Sequence, residues 1–259
     1  MSGERWDRFW DSKEDLAAVY ASSPRVLGTL LDVLDPVGAR ILEIGAGTGR
    51  DSAALAARGA RAVALDASPR SLALVSRVHP TLVGRGIVGG DAFHLPFRDA
   101  AFDAVFHQGV LEHFGNPAAF LHENLRVTRP GGLLVVDVPQ TWHPWTLLKR
   151  AAIRVDRWFA GWETDFTIDR LERLVRGVGY EVVGAYGDWM VPSLTYRLVR
   201  EGARRSGLEL PLEPAGPEPL RRARRALRER LLESPAARRL AHTIGVVGRK
   251  PGPVRGPGD

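Results

Sequence analysis

The stretch Ile41-Leu-Glu-Ile-Gly-Ala-Gly-Thr-Gly-Arg50 decides the fold. Its apolar start reads as a buried strand, and Glu43 puts an acidic group close to its end. Glycine follows at positions 45, 47 and 49, and then a helix-forming run, Ala53-Ala-Leu-Ala-Ala57. Glycines at such a turn permit positive φ and let the backbone come close to a bound molecule. The start of the helix adds unpaired N–H groups beside it. A strand, a glycine turn and a helix in this order make a nucleotide-type cofactor site; which cofactor is not settled by the loop alone.

Outward from this unit, strand and helix patterns alternate, as a parallel sheet with crossover helices requires. Strands are expected over 40–44, 61–65, 86–88, 102–107, 133–138 and 180–186, with a last one over 241–248. Helices are expected over 50–58, 69–78, 116–127 and 168–177. Asn116-Pro117 reads as a cap and first-turn pair, and Arg129-Pro-Gly-Gly132 as a turn. Two further helices, 4–20 and 24–34, precede the first strand. The segments 141–164 and 190–239 interrupt the alternation. The first holds Trp142, Trp145, Trp158, Phe159 and Trp162; the second repeats Leu220, Ala223, Leu227 and Leu231 at helical spacing among arginines. One domain is expected over 1–250, with 1–35 as a helical lid and both insertions covering the substrate side. The Pro- and Gly-rich tail, 251–259, is expected to be disordered.

With 44% hydrophobic and 25% charged residues among 259, the chain has the composition of a folded globular protein. It has no cysteine, which excludes disulfides, thiolate metal sites and cysteine nucleophiles. No apolar run nears the roughly 20 residues of a membrane span, and the charged, aromatic start is unlike a secretory signal. A cytoplasmic location is the expectation. The net charge of +6 resides in 197–239, where twelve arginines face six glutamates. A nucleic-acid role inferred from total charge is therefore misplaced, although that one segment keeps a nucleic-acid-binding module as an alternative. The same segment, at 219–233, also suits contact with a membrane or another anionic surface.

Three features bear on the cofactor. The dinucleotide fingerprint G-x-G-x-x-G needs glycine where this chain has Arg50, which disfavours an NAD-dependent oxidoreductase. Asp66, in Val63-Ala-Leu-Asp66, ends the second strand where a carboxylate accepts from both hydroxyls of a ribose. Asp91, in Gly89-Gly-Asp-Ala-Phe-His94, suits an exocyclic amino group, with Phe93 or Leu95 nearby to cover a base.

Taken with Val110-Leu-Glu-His113 and Arg126-x-x-Arg-Pro-Gly-Gly132, these motifs resemble the class I S-adenosylmethionine-dependent methyltransferases, particularly the ubiquinone and menaquinone methyltransferase group. The resemblance covers about residues 36–140, with 180–183 and 243–250. It implies an α/β, Rossmann-like, doubly wound sheet of seven strands, mostly parallel, with the last strand antiparallel beside the sixth. It implies that Glu43 with Gly45, Ala46, Gly47 and Gly49 holds the methionine part of S-adenosylmethionine, Asp66 with Ala67 the ribose, and Asp91 with Ala92 and Phe93 the adenine. His107, Gln108 and Gly109 then border the sulfonium.

The implied chemistry is in-line methyl transfer to a small molecule, bulky or lipophilic, with oxygen slightly preferred as acceptor atom. His143 and His113 are the candidate bases, and Trp142, Trp145 and Trp162 the candidate acceptor contacts. Some quinone-pathway relatives place a metal on Glu-x-x-Glu-His. Here the first of those positions is Gly109, so no metal is expected.

Overall fold

A computed structural model describes residues 6, 7, 9, 10, 25–84, 86–156, 158, 162–189, 193–211 and 216–252. Of the expected helix over 4–20, only four residues fall within this set. The tail from 253 onward lies outside it, as does Phe159.

Helix α1 (Arg25–Val33) precedes β1 (Arg40–Ile44), α2 (Arg50–Ala56), β2 (Arg61–Asp66), α3 (Pro69–Val78) and β3 (Ile87–Gly89). Then come β4 (Phe102–Gln108), α4 (Pro117–Val127), β5 (Thr128–Pro139), α5 (Pro144–Arg154), α6 (Ile168–Gly177) and β6 (Glu181–Asp188). The chain continues through α7 (Leu194–Arg205), α8 (Glu218–Glu233), α9 (Pro235–Arg238) and β7 (Thr243–Arg249). Seven strands form one sheet in the order β3-β2-β1-β4-β5-β7-β6. All pairs are parallel except those of β7, which runs antiparallel between β5 and β6.

The sheet is covered on both sides, which explains why its central strands are continuously apolar. Alternate residues serve opposite layers. Leu42, Val105, Leu134 and Val136 pack with Phe120 and Leu121 of α4 and with Leu171 and Val175 of α6. Ile41, Ala104, Phe106 and Val135 pack with Val26 and Leu30 of α1 and Leu55 of α2. Helix starts follow the sequence signals. Ser68 Oγ, Asn116 Oδ1 and Thr167 Oγ1 each accept an N–H of the following turn, as N-caps do.

The largest boundary difference from expectation is at β5. The turn at Arg129–Gly132 is absorbed into β5, which begins at Thr128 paired with Phe102. Gly131, at φ +74°, makes an irregularity in the strand, and the chain end meets it: Gly131 N donates to Lys250 O and Lys250 N to Gly132 O. Lys250 Nζ then donates to the carbonyls of Leu125 and Thr128, closing the end of α4. A long-range partner has turned a local turn signal into sheet.

The carboxyl edge of the parallel strands is where ligands bind in such sheets. It carries the loops after β1, β2, β3 and β4. Because β7 is antiparallel, its start at Thr243 lies level with Pro139 and Asp188. Both insertions, after β5 and after β6, therefore leave from this same edge.

Candidate active site

The glycine loop is held by hydrogen bonds that leave few degrees of freedom. Gly45 N and Ala46 N both donate to Leu65 O, at 2.8 and 3.0 Å. Gly47 N donates to Asp66 Oδ2 (2.9 Å), and Ser71 Oγ donates to Gly47 O (2.8 Å). Gly45, Gly47 and Gly49 have φ of 69°, 53° and 66°, a region that side-chain-bearing residues rarely occupy. At Gly47 a Cβ would meet the Trp10 ring, so the N-terminal segment lies directly against the loop. Asp7 accepts from Ser68 Oγ (2.5 Å), a second tie between that segment and the loop after β2.

Asp66 is buried at the end of β2, and burial raises its pKa, opposed by the N–H groups of Ser68 and Gly47. Two backbone donors use part of its acceptor capacity; an ionised carboxylate has about four lone-pair sites, which leaves room for a diol. Ala67 is exposed next to it. Asp91 is exposed; it accepts from Phe93 N (3.0 Å) and pairs with His94 Nδ1 (2.9 Å), and the His94 contact lowers its pKa. Ala92 and Phe93 are half-buried, Phe93 edge-on to Phe114 at 4.7 Å. Gln108 and Gly109 are half-buried at the end of β4, with Gly109 N donating to Asp137 O.

Two of the expected cofactor contacts have other duties. Glu43 is buried beneath the loop, where its Oε2 accepts from Ser52 N (3.0 Å) and Ser52 Oγ (2.5 Å). It caps the start of α2, whose own N-cap residue, Gly49, has no side chain to do so. His107 is fully buried with its ring 4.8 Å from Phe120, and burial pulls its pKa down to about 3. Its imidazole is neutral core, turned toward α4, and only its backbone remains at the sheet edge.

On the acceptor side the structure gathers a cluster that the sequence did not reveal. The chain returning from the first insertion runs beside the turn after β4: Thr164 N donates to Glu112 O, and Thr141 N to Phe166 O. This places Glu163 between α5 and that turn. Glu163 pairs with the buried Lys149 of α5, accepts from Trp158 Nε1 (2.5 Å), and lies 4.0 Å from His113 Nδ1. Trp6 packs edge-on against His113 at 5.0 Å.

Glu112 is buried, and burial with the Glu163 charge pushes its pKa up to about 8, so it is largely protonated at neutral pH. Burial pulls His113 down to about 4, so it is neutral. Glu112 Oε2, His113 Nδ1, Thr146 Oγ1 and the Gln140 amide have no hydrogen-bond partner among the described residues. Buried polar atoms of this kind ordinarily meet a bound molecule or ordered water. One signal was available in the sequence: lysine occurs only three times, at Lys13, Lys149 and Lys250. Both described lysines are tied into the fold.

The other acceptor-side expectations fare unevenly. His143 N-caps α5: its Nδ1 accepts from Trp145 N at 3.2 Å, and burial lowers its pKa. That is a structural duty for a residue expected to be catalytic. Trp142 and Trp162 are 58% and 56% exposed, so they do not wall an enclosed pocket. Trp142 lines a recess of about 170 Å³ with Gln140, Thr167 and Arg239, smaller than the usual drug-sized site of roughly 300 Å³ or more. Trp145 turns inward and meets Trp158 at 6.2 Å. No group of three His, Asp or Glu side chains is arranged to hold a metal among the described residues.

Residues 42–136 match the family model described as a methyltransferase domain. That segment runs from β1 into β5 and includes the glycine loop and Asp66. Within the chain that holds it, 147 residues are 40% identical to a demethylmenaquinone methyltransferase of Beutenbergia cavernae, covering 52% of this chain and 60% of that protein. The match thus spans less than two thirds of that relative. Among solved structures, the chain superposes on a Thermotoga maritima S-adenosylmethionine-dependent methyltransferase, described as a possible histamine N-methyltransferase. That similarity has a TM-score of 0.63 at 18% identity, with 96% of this chain and 100% of the other covered. A second likeness is to 1,6-didemethyltoxoflavin-N1-methyltransferase of Burkholderia thailandensis, solved with S-adenosylhomocysteine. Its TM-score is 0.59 at 18% identity, covering 96% and 88%. At these identities the structural likenesses establish the fold.

Proposed function

We propose that the chain, as a single unit over residues 1–250, transfers a methyl group from S-adenosylmethionine to a small, bulky or lipophilic molecule. The observation that carries this reading is the antiparallel β7 lodged between β5 and β6, together with a glycine loop after β1 whose backbone is pinned by Asp66. A dinucleotide-binding sheet has the order 3-2-1-4-5-6 without that insertion, so the NAD reading loses support.

The residues present suit the cofactor. Gly45, Ala46, Gly47 and Gly49 offer a close backbone approach for the methionine part, Asp66 and Ala67 for the ribose, and Asp91 to Phe93 for the adenine. Gln108 and Gly109 border the reacting end. The cofactor supplies a methyl group activated on a sulfonium. The protein's part is to align the acceptor with it in line, a positioning effect that reaches roughly 7–11 kcal/mol in favourable cases, and to keep water out. The turn after Gly109 carries Glu112 and His113, whose unpartnered polar atoms suit an acceptor with a hydroxyl. A hydroxyl must lose its proton as the new bond forms, and the neutral His113 imidazole is the available base. This favours oxygen over carbon or nitrogen as the methylated atom.

Calorimetric titration of the full chain with S-adenosylhomocysteine and with NADH tests the cofactor. Micromolar or tighter binding of the first and none of the second is expected. Binding of NADH alone would overturn the reading.

A further inference from the structure

Helix α8 poses the question of what covers its apolar stripe. Leu220, Leu227 and Leu231, spaced seven and four residues apart, fall on one face, and they are 46%, 59% and 47% exposed. The helix packs mainly on α9 and on the outer strand β6, leaving this face outward. Arg222, Arg224 and Arg230 on the same helix are exposed, as are Arg204 and Arg205 at the end of α7. Leu198 and Val199 of α7 and Leu240 beyond α9 add further exposed apolar surface. Scattered exposed leucines are ordinary, but a one-sided stripe on an arginine-rich helix is the pattern of a segment that lies in a membrane interface.

We propose that α8, assisted by α7, docks the protein on an anionic membrane surface, with the leucine stripe entering the headgroup boundary and the arginines pairing with lipid phosphates. Charge decides among the occupants. The segment 197–239 holds twelve arginines and six glutamates, so a second copy would bring two cationic segments together. A nucleic acid would engage the arginines and leave the leucines in water. An anionic lipid surface uses both.

The place of the helix in the fold adds a consequence. The insertion that bears it leaves β6 at Asp188 and re-enters β7 at Thr243, both on the sheet edge that carries the glycine loop and Glu112. A membrane-docked α8 therefore holds the acceptor side near the lipid. In this respect the inference rests on the methyltransferase reading, although the docking itself does not.

Vesicle co-sedimentation of the full chain tests it, using phosphatidylcholine alone and phosphatidylcholine with an equal part of phosphatidylglycerol. Partition into the anionic vesicles only, weakening with salt, is expected. Replacing Leu220, Leu227 and Leu231 together by Ser should lower it about tenfold or more, and so should replacing Arg224 and Arg230, which flank the stripe, by Gln. S-adenosylhomocysteine affinity, measured on every variant, should not change; it reports an intact fold and keeps failure of docking separate from failure of the cofactor reading. Three results overturn the proposal: no partition into anionic vesicles, partition indifferent to the leucine replacements, or a solution dimer that the leucine replacements dissociate.

Discussion

The cofactor side and the acceptor side of the sheet edge are built on different principles. On the proposed cofactor side the groups on offer are backbone groups and strand-end carboxylates. Gly47 and Asp66 are nineteen residues apart and bonded to each other, and each element is placed by the strand it ends. On the proposed acceptor side, Trp6, Glu112, Lys149 and Glu163 come from four separate stretches, joined by side-chain contacts and by the backbone bond from Thr164 N to Glu112 O. The first arrangement follows from local geometry, whereas the second exists only when the insertion folds back. Mutations on the two sides should therefore separate ligand affinity from stability.

The largest effect is expected at Lys149. Lys149→Ala leaves Glu163 buried without its cation, a change that typically costs about 3–5 kcal/mol. Urea denaturation should show that loss while S-adenosylhomocysteine still binds under native conditions. A fully stable Lys149→Ala protein would break the contrast. Next comes Asp66→Ala, which removes a charged hydrogen-bonding group worth roughly 1.5–3 kcal/mol, or about ten- to a hundredfold in cofactor affinity. Calorimetry should register the lost affinity alongside an unfolding midpoint that moves much less than for Lys149→Ala.

A smaller effect depends on pH. The Glu112 carboxyl is raised in the folded protein from 4.5 to about 8. Folding therefore favours its protonated form, so its contribution is full below about pH 4.5 and lost as pH rises through about 8. Glu112→Gln should flatten that decline, and its stability relative to wild type should improve between pH 5 and pH 9. An unchanged difference across that range would show that Glu112 is not held protonated. The smallest effect is at His143. His143→Ala removes a cap worth about 1 kcal/mol and should leave cofactor affinity intact. Its thermal midpoint should fall slightly, and a rise would count against the cap.

Glu43 and Lys149 mark the limits of reading such a chain linearly. Glu43 was recognisable as part of the loop motif, but its duty as the cap of α2 depends on which way the carboxylate turns beneath the loop. Lys149 carries no motif at all; its partner lies 14 residues away on a chain that reverses direction between them. The tryptophans show the same limit from the other side. Composition made Trp142, Trp145 and Trp162 look alike, yet only Trp145 turns inward.

The sequence by itself determined the alternation of strands and helices, the glycine loop, and the placement of Asp66 and Asp91 at strand ends. These depend on hydrophobic period, glycine stereochemistry and short-range order, all of which act over a few residues. The tertiary structure alone decided that His107 is core, that His143 is a cap, and that Glu112, Lys149 and Glu163 share one buried cluster. It also decided that α8 keeps Leu220, Leu227 and Leu231 exposed. Burial sets the charge state of these carboxyl and imidazole groups, and burial is a property of the whole packing rather than of any one segment.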